Sequence, residues 1–271
     1  MAHEIHMKIK HLLLIASIFF SFVSQAQTVD YIYKKYHVEG SIVVFDVNRN
    51  KWFFSDRNDA YKGTLPASTF KIVNSCIALQ TRVVDNEHEL LPWDKKIRIF
   101  NGAPVAAWNQ DTDMQDAFRN STVWFYVEMA KRVGREKYRE VLHEINYGNN
   151  DFSEKGIDFW NYGNFKVTPV QQIFFLKNLY YNKLPFDTAV MHTVKNIMLS
   201  DSTETYTIRS KSGWTQSEGK DIGWYVGWLT VRDNVYFFAN RLTKPEQDKN
   251  DGFSAARKNI VLDIFRDWGM I

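Results

Sequence analysis

The chain has 271 residues, 45% of them hydrophobic and 15% aromatic, so it is long enough to bury a sizeable core in one large domain or two small ones. Its net charge is only +3 at pH 7, and one unit of this excess lies in the first dozen residues. A nucleic-acid partner calls for clustered Lys and Arg, which this sequence does not show. The seven His residues have no His-Glu-x-x-His or similar ligand spacing, so a metal hydrolase is disfavoured as well.

The N-terminus has the three-part pattern of a secretory signal peptide. A basic stretch from Met7 to His11 precedes an apolar run from Leu12 to Val23, and small residues follow at Ser24-Gln25-Ala26. The apolar run is too short to cross a bilayer, which takes about 20 residues. We therefore predict cleavage near Ala26–Gln27, a periplasmic location and no stable membrane anchor.

The predicted domain boundaries follow from this cleavage site. Residues 1–26 are predicted as the signal peptide, in which residues 1–6 are either an upstream start or extra residues before a second start at Met7. Residues 27–271 are predicted to form a single folded domain, because no repeat, low-complexity tract or linker divides them.

The predicted elements change in type along this domain. Runs of β-branched and aromatic residues predict strands near both ends, and apolar residues at helical spacing predict helices in the middle. In chain order they are an amphipathic stretch Val29–Val38, strands Ser41–Val47 and Trp52–Phe54, helices Ser68–Thr81, Ser121–Val133, Arg135–Ile145, Thr168–Tyr181 and Thr188–Leu199, strands Thr205–Ser210, Ile222–Val231 and Val235–Arg241, and a helix Gly252–Trp268.

This order of elements predicts an α+β fold. Strands at both ends of the chain are expected to form one sheet, which is mainly antiparallel because Val231–Asn234 reads as a hairpin turn. The central helices then form a largely helical region, and other helices flank the sheet. A cleft between these two regions is the natural position for an active site.

The most distinctive helix opens with Pro66-Ala67-Ser68-Thr69-Phe70-Lys71. Ser68 and Lys71 are three residues apart, so in a helix their side chains share a face. A hydroxyl needs a base within hydrogen-bond reach to become a nucleophile, and the N–H groups of a helix N-terminus favour a developing oxyanion. A capping Ser and a solvated Lys would give the same tetrapeptide, so this spacing alone leaves both interpretations open.

Two further motifs follow in the chain. Ser121-Thr122-Val123 begins a long helix and offers a second hydroxyl, although a plain N-cap serine would look the same. Lys211-Ser212-Gly213 is predicted to end a strand just before Trp214, where the glycine lets a backbone or ligand approach closely. The order Ser-x-x-Lys, Ser-x-Val and Lys-Ser-Gly favours a serine hydrolase over a coincidence of three weak motifs.

These motifs resemble those of the class D (oxacillinase-type) β-lactamases, within the superfamily of penicillin-recognising serine enzymes. The related class A enzymes have Ser-Asp-Asn as their second motif, whereas class D has Ser-x-Val. The resemblance covers nearly the whole mature chain and implies a β-lactamase/transpeptidase-like fold. Further matches are Tyr147-Gly148-Asn149, the Phe159-Trp160 pair, the strand Gly223–Trp228 and Arg257.

The resemblance also implies an unusual base. Lys71 is expected to be N-carboxylated by CO2 or bicarbonate, with no separate cofactor and no metal, and its carbamate is expected to act in both acylation and deacylation. Carboxylation needs a neutral amine, and burial lowers the pKa of a lysine because it disfavours the charged form. Phe70, Val123 and Trp160 are expected to line this pocket, and the Trp160 N–H to hold the carbamate.

The other roles are likewise implied by the resemblance. Ser68 is expected to attack the lactam carbonyl, the backbone N–H groups of Ser68 and Trp214 to hold the oxyanion, and Ser121 with Lys211 to relay a proton to the ring nitrogen. Arg257 is expected to bind the substrate carboxylate. The remaining predicted substrate contacts are Ser212, Gly213, Trp214, Trp108 and Tyr147.

The sequence departs from the usual class D pattern at two places. The third motif is Lys-Ser-Gly, where Lys-Thr-Gly is commoner, and the stretch Arg98–Asp113 is somewhat longer than usual. A second Tyr-Gly-Asn occurs at Tyr162–Asn164, but Tyr147 stands at the expected distance before Trp160.

We therefore predict a secreted β-lactamase that hydrolyses penicillins of the oxacillin type, with small-molecule β-lactams as its substrates. The alternatives within the superfamily are a β-lactam sensor domain, which would acylate without turnover, and a D,D-peptidase. A sensor is normally attached to membrane helices, and a peptidase should favour Ser-x-Asn as second motif. Oligomeric state and the wider substrate profile stay open at this level.

Overall fold

The computed structural model describes residues 29–100 and 102–271. The predicted signal peptide lies outside these residues. Within them, no helix combines the length and the apolar character that a membrane crossing requires.

Strands lie near both ends of the described chain, and most of the helices lie between them. In chain order the elements are helix α1 (29–35), strands β1 (Glu39–Asp46) and β2 (Lys51–Phe54), helix α2 (Arg57–Ala60), a 3₁₀ turn (Ala67–Phe70), helix α3 (Lys71–Gln80), strands β3 (Ile99–Phe100) and β4 (Ala103–Pro104), a second 3₁₀ turn (Ala106–Trp108), helices α4 (Met114–Arg119), α5 (Val123–Val133), α6 (Arg135–Glu144), α7 (Pro169–Tyr180) and α8 (Thr188–Ile197), strands β5 (Leu199–Ser202), β6 (Tyr206–Ser217), β7 (Lys220–Val231) and β8 (Asn234–Pro245), and helix α9 (Phe253–Asp267).

Six of these strands form one antiparallel sheet in the order β2-β1-β8-β7-β6-β5. The N-terminal strand β1 pairs with the C-terminal strand β8, so the sheet is built from both ends of the chain. The α+β prediction is confirmed. Strands β3 and β4 form a separate small hairpin within the loop that leads to α4.

The central strand β7 shows why the sheet is covered on both faces. Its side chains point alternately to opposite faces, because successive residues of a strand do so. Trp224 and Val226 pack in the large core shared with the central helices, whereas Tyr225 and Leu229 pack in a second core with α1 and α9. A strand buried on both faces carries a continuous apolar run, as 222–229 does here.

Strand β6 is longer than the sequence predicted, and this positions the third motif. The predicted strand ended at Ser210, but β6 continues through Lys211-Ser212-Gly213 and Trp214 to Ser217. It then turns into β7 through Glu218 and Gly219, which both have positive φ, as a tight two-residue hairpin requires. The prediction that Lys-Ser-Gly ends a strand was therefore wrong, because pairing with β7 extends the strand beyond its apolar alternation.

The long helices lie close to their predicted ranges, whereas several short elements were not predicted. Helix α7 begins with a capping box between Thr168 and Gln171, with Pro169 as its first residue, which accounts for its sharp start. The elements missed are α2, α4, β3, β4, β5 and the second 3₁₀ turn, all of six residues or fewer. Segments this short do not establish a hydrophobic period.

Candidate active site

Ser68 and Lys71 come together at the start of α3. The Lys71 Nζ donates a hydrogen bond to the Ser68 Oγ at 2.8 Å. The sequence predicted an α-helix from Ser68 onward, but Ser68 lies in a 3₁₀ turn and the α-helix begins at Lys71. In a 3₁₀ turn, side chains three residues apart eclipse one another, so this local geometry brings the two groups into contact.

The turn is held in a constrained backbone conformation. Ala67, directly before Ser68, has a φ of 51°, which costs free energy in a residue with a Cβ. Its N–H donates to the carbonyl of Trp160 at 3.0 Å. On the other side β6 passes so closely that a Cβ on Gly213 would lie 3.3 Å from the Ser68 nitrogen. Gly213 therefore lets the strand that carries Lys211 and Trp214 run directly beside Ser68.

Lys71 is completely buried, which is rare for a lysine. Burial lowers its pKa from 10.5 to about 7, and the charge of Asp158 opposes this only in part. The Nζ lies 5.2 Å from the centre of the Tyr126 ring. At neutral pH a large fraction of this amine is therefore unprotonated, unlike that of a surface lysine.

Trp160 stacks on the ring of Phe70, the residue directly before this lysine, with 5.0 Å between ring centres. It is fully buried, and its Nε1 has no hydrogen-bond partner among the described residues. The Thr122 Oγ1 is likewise buried without a partner there, and the half-buried Val123 follows it as the first residue of α5. A buried polar group without a partner costs free energy, so such atoms indicate a place for another polar group.

Ser121 and Lys211 form a second Ser–Lys contact, between residues 90 positions apart in the chain. The Lys211 Nζ donates to the Ser121 Oγ at 2.5 Å and to the Ser212 carbonyl at 3.1 Å. Lys211 is buried, and burial together with the charges of Lys71 and Arg257 holds its pKa well below the usual value. The two Ser–Lys contacts therefore belong to one electrostatically coupled site.

The sequence suggested that Ser121 begins or caps the helix that follows it. In the structure it does neither. It has a left-handed φ of 55°, and Thr122 is the N-cap of α5 without a side-chain capping bond. If a serine capped α5, its side-chain oxygen would accept a hydrogen bond from a backbone N–H of the helix. The left-handed residue turns the hydroxyl toward Lys211 instead.

Arg257 lies on α9. Its side chain reaches β6, the strand that carries Lys211, from the face of the sheet opposite the central helices. Its Nη1 donates to the Gly213 carbonyl at 2.9 Å, and its guanidinium lies 5.7 Å from the centre of the Trp214 ring. A Cβ on Gly223 would lie 3.0 Å from the Arg257 Cγ, so the glycine makes room for this side chain. Burial lowers the arginine pKa to about 10, which leaves it cationic at neutral pH.

Trp108 forms part of the loop around Ser121. Its Nε1 donates to the Asn120 carbonyl at 2.8 Å, and its own carbonyl accepts from the Trp124 Nε1 at 2.9 Å. Phe100, which the sequence did not single out, makes edge contacts with both Trp108 and Trp214, at 5.8 and 5.2 Å between ring centres. The Arg98–Asp113 region thus contacts β6 through an aromatic ring that is 42% exposed.

Comparison with known proteins places this arrangement in a family. The family model described as "Penicillin binding protein transpeptidase domain" matches residues 34–266. Beta-lactamase OXA-48 of Klebsiella pneumoniae is 37% identical over 210 residues, which are 78% of this chain and 77% of that protein. The solved class D β-lactamase from Sebaldella termitidis superposes with a TM-score of 0.85 at 37% identity, covering 90% of this chain and 96% of that one.

The chain belongs to the class D β-lactamases. It is accordingly an enzyme, since the members of this family are hydrolases. A further relative is the regulatory protein BlaR1 of Bacillus licheniformis, which is 29% identical over 239 residues, 88% of this chain but 38% of that protein.

One predicted substrate contact of this class D chain lies away from the cleft. Tyr147 is 1% exposed and packs against Phe70 on the inner side of the Ser68 turn. Its OH donates to the Gln172 Oε1 at 3.1 Å, and the Gln172 Nε2 donates to the Thr69 Oγ1 at 2.9 Å. The expectation that Tyr147 touches substrate is therefore corrected: burial makes it a support for Thr69.

The structure joins several other predicted residues of this class D site: Gly213 passes beside Ser68, Arg257 donates to Gly213, and Lys211 donates to Ser121. Sequence reasoning missed Phe100 and the two residues behind Trp214, Asp221 and Lys244. No local motif marks them, because their positions follow from strand register and from the course of a loop.

Proposed function

We propose that this class D chain opens β-lactams by forming an acyl-enzyme on Ser68, with Lys71 as its base in an N-carboxylated form. The observation that carries the proposal is the fully buried Lys71, whose amine lies 2.8 Å from the Ser68 hydroxyl and has its pKa lowered to about 7. A base must be within hydrogen-bond reach of the proton that it removes, and its pKa should lie near the working pH.

The residues around Lys71 fit an added carboxylate group. Carboxylation of an amine by CO2 requires the neutral form, which burial makes abundant here. The Trp160 Nε1 and the Thr122 Oγ1 are buried and have no partners among residues 29–100 and 102–271, and both can donate a hydrogen bond. When present, the group would supply a carboxylate-type base beside Ser68, and Val123 would add an apolar wall.

The chemical steps assign one task to each side chain. The base at Lys71 takes the Ser68 proton as the Oγ attacks the lactam carbonyl carbon, and the N–H groups of Ser68 and Trp214 stabilise the oxyanion. The C–N bond then breaks, and the Ser121 hydroxyl, which Lys211 holds at 2.5 Å, relays that proton to the departing nitrogen, so Ser121 ends unchanged. In deacylation the base takes a proton from the water that attacks the ester and returns it to the Ser68 Oγ as the ester bond breaks, which completes the net addition of one water.

Substrate recognition divides into a charged and an aromatic part. Arg257 beside Gly213 offers a guanidinium for the carboxylate common to penicillins and cephalosporins. The rings of Trp108, Phe100 and Trp214 offer apolar surface for an aromatic side chain such as that of oxacillin. The N-terminal pattern of basic, apolar and small residues supports secretion to the periplasm.

The test is turnover of a chromogenic cephalosporin by the purified protein, with and without added bicarbonate. We expect multiple turnovers that become faster with bicarbonate until the site saturates. Sodium chloride at the same ionic strength is the control for salt. Turnover that is indifferent to bicarbonate after thorough degassing would remove the carboxylated base from the proposal, while leaving Ser68 as the nucleophile.

A second candidate is a β-lactam sensor that is acylated and does not turn over. The similarity to the regulatory protein BlaR1 supports it. The same assay separates the two, since a single stoichiometric burst without turnover at any bicarbonate concentration would favour the sensor.

A further inference from the structure

A buried carboxylate lies behind the wall of the cleft. Asp221, near the start of β7, is 2% exposed and accepts hydrogen bonds from three side chains. The Trp214 Nε1 donates to its Oδ1 at 2.8 Å, the Gln216 Nε2 donates to the same oxygen at 3.2 Å, and the Lys244 Nζ donates to its Oδ2 at 2.5 Å. Three neighbouring strands, β6, β7 and β8, thus contribute to one cluster.

Strand register determines this cluster. Asp221 is paired with Gln216 on β6 and with Lys244 on β8, so the three residues lie in one row across the sheet. Lys244 is 6% exposed and also donates to the carbonyls of Asp248, at 2.6 Å, and Pro245, at 3.3 Å. The ammonium has its three donors engaged, so the ion pair is held rigidly in place.

Stability is a poor explanation for a buried ion pair of this kind. Removing two charges from water costs several kcal/mol per ion, and apolar residues of similar volume are often equally or more stabilising. What the pair does provide is a fixed hydrogen-bond acceptor. The Asp221 Oδ1 is directed at the indole nitrogen of Trp214, and Lys244 prevents the carboxylate from turning away.

Trp214 also contacts Phe100 and Arg257, and the buried core ring of Phe253. Its ring meets Phe100 edge-on at 5.2 Å and lies 5.7 Å from the Arg257 guanidinium, and Phe253 packs against it at 5.1 Å. An indole can be turned by half a rotation about its Cβ–Cγ bond, and only one of the two orientations places Nε1 on Asp221. The hydrogen bond therefore selects which edge of the ring faces Phe100 and Arg257.

We propose that Asp221, held by Lys244, is a positioning residue that fixes the indole of Trp214 as the wall of the substrate cleft beside Arg257. It acts through Trp214 on substrate binding, and it does not touch the reacting atoms. This inference rests on the proposed function, since it assumes that Arg257 binds the substrate carboxylate. Its loss should raise KM more than it lowers kcat.

The central test replaces the pair by apolar residues of similar size, Asp221→Leu with Lys244→Met. Fold and stability should be retained, because a buried ion pair tolerates this exchange. We expect KM for a chromogenic cephalosporin to rise about tenfold with kcat changed less than about threefold, since uniform binding is lost and the chemical step is not. Kinetics equal to wild type in a protein with an unchanged melting temperature would overturn the inference.

Two further variants separate positioning from folding. Asp221→Asn with Lys244→Met removes both charges but keeps an amide oxygen for the Trp214 Nε1, so KM should return to within about twofold of wild type, as a rescue requires. Trp214→Phe removes the indole N–H, so adding the apolar pair to it should change KM no further in a double-mutant cycle. If the variant with both apolar replacements does not fold, Trp214→Phe by itself tests the proposal. An unchanged KM in Trp214→Phe would contradict it.

Asp59→Asn is the control, because it weakens another ion pair, between the partly buried Asp59 and the buried Arg241, away from Trp214. It should lower the melting temperature and leave KM unchanged, whereas an equal rise in KM would show a general effect of core damage. Wild type that acylates without turnover would refute the proposed hydrolase but not the indole contact. Normal wild-type turnover with indifferent variants would refute the present inference alone.

Discussion

The two Ser–Lys contacts of the site use the same residue types but are built differently. Ser68 and Lys71 are three residues apart in one turn, and their contact is local. Ser121 and Lys211 are 90 residues apart, one before helix α5 and the other inside strand β6. Both lysines are buried and have lowered pKa values.

The difference lies in what surrounds each lysine. Within the described part of the chain, Ser68 is the one side-chain hydrogen-bond partner of the Lys71 amine, and the Trp160 Nε1 and Thr122 Oγ1 are buried without partners. Lys211 has a hydroxyl and a carbonyl as fixed partners, and the positive charges of Lys71 and Arg257 add to the effect of burial. The first environment suits a group that gains and loses a proton or CO2, and the second suits a fixed donor that holds Ser121.

The largest expected effect comes from Lys71→Ala. Without a base beside Ser68, we expect kcat for a chromogenic cephalosporin to fall by about 10³-fold or more. The melting temperature should be unchanged or higher, because a buried amine is removed. Lys195→Ala, at a partly buried lysine on α8 whose pKa is also lowered, is the control and should retain full activity. Turnover by the Lys71 variant within tenfold of wild type would show that the base is elsewhere.

Lys211→Met should lower activity less than Lys71→Ala does. The methionine retains the apolar length, but Ser121 loses the donor that orients it, so we expect kcat/KM to fall by about 10²-fold. The measurement is steady-state kinetics, with the acylation rate followed by stopped flow. A loss as large as that of Lys71→Ala would abolish the distinction between the two contacts.

Trp160→Phe tests the surroundings of Lys71. The phenyl ring retains the stacking on Phe70 but has no N–H, so the deacylation rate should fall by about 30-fold, the value of a hydrogen bond to a charged group. Acylation should stay rapid, and an acyl-enzyme of increased mass should accumulate during turnover. Trp228→Phe, in a tryptophan of the large core on β7, is the control for ring size. Normal deacylation in the Trp160 variant would contradict the pocket proposed for the carboxylate.

The lowered pKa of Lys71 predicts a specific pH dependence. Its amine is mostly neutral above about pH 7 and mostly protonated below, so bicarbonate-dependent turnover should fall about fivefold between pH 7 and pH 6. The free energy of unfolding should also rise with pH. The pKa of Lys71 in the folded state lies below the ordinary 10.5 of the unfolded state, so the contribution of this group to stability rises from pH 7 to pH 10.5. Both slopes should be absent in Lys71→Ala, and a flat activity profile in wild type would refute the assignment.

The smallest expected effect is that of Tyr147→Phe. Removing the OH leaves the Gln172 carbonyl without this donor, so the free energy of unfolding should fall by about 1 kcal/mol, while KM and kcat stay within about twofold. Urea unfolding measures the first quantity and steady-state kinetics the second. A tenfold rise in KM would return Tyr147 to the substrate contacts.

Much of the fold could be predicted because it depends on periodicity. The long helices and the strand pattern at both ends carry apolar residues at fixed intervals, and the α+β arrangement follows from their order. The short elements and the full length of β6 could not be predicted in this way. Pairing with β7 extends β6 through Lys211 and Trp214. The local sequence pattern of a strand does not show which strand will pair with it.

For the candidate site, the sequence by itself determined which residue types are available and the local contact of Ser68 with Lys71, because three residues of a tight turn suffice to bring them together. Only the tertiary structure decided that Ser121 meets Lys211, that Tyr147 is buried behind the site and that Asp221 and Lys244 support Trp214. These contacts join segments up to 90 residues apart through strand register and left-handed residues. The same is true of the lowered pKa of Lys71, because burial is a property of the packed core and not of the residue.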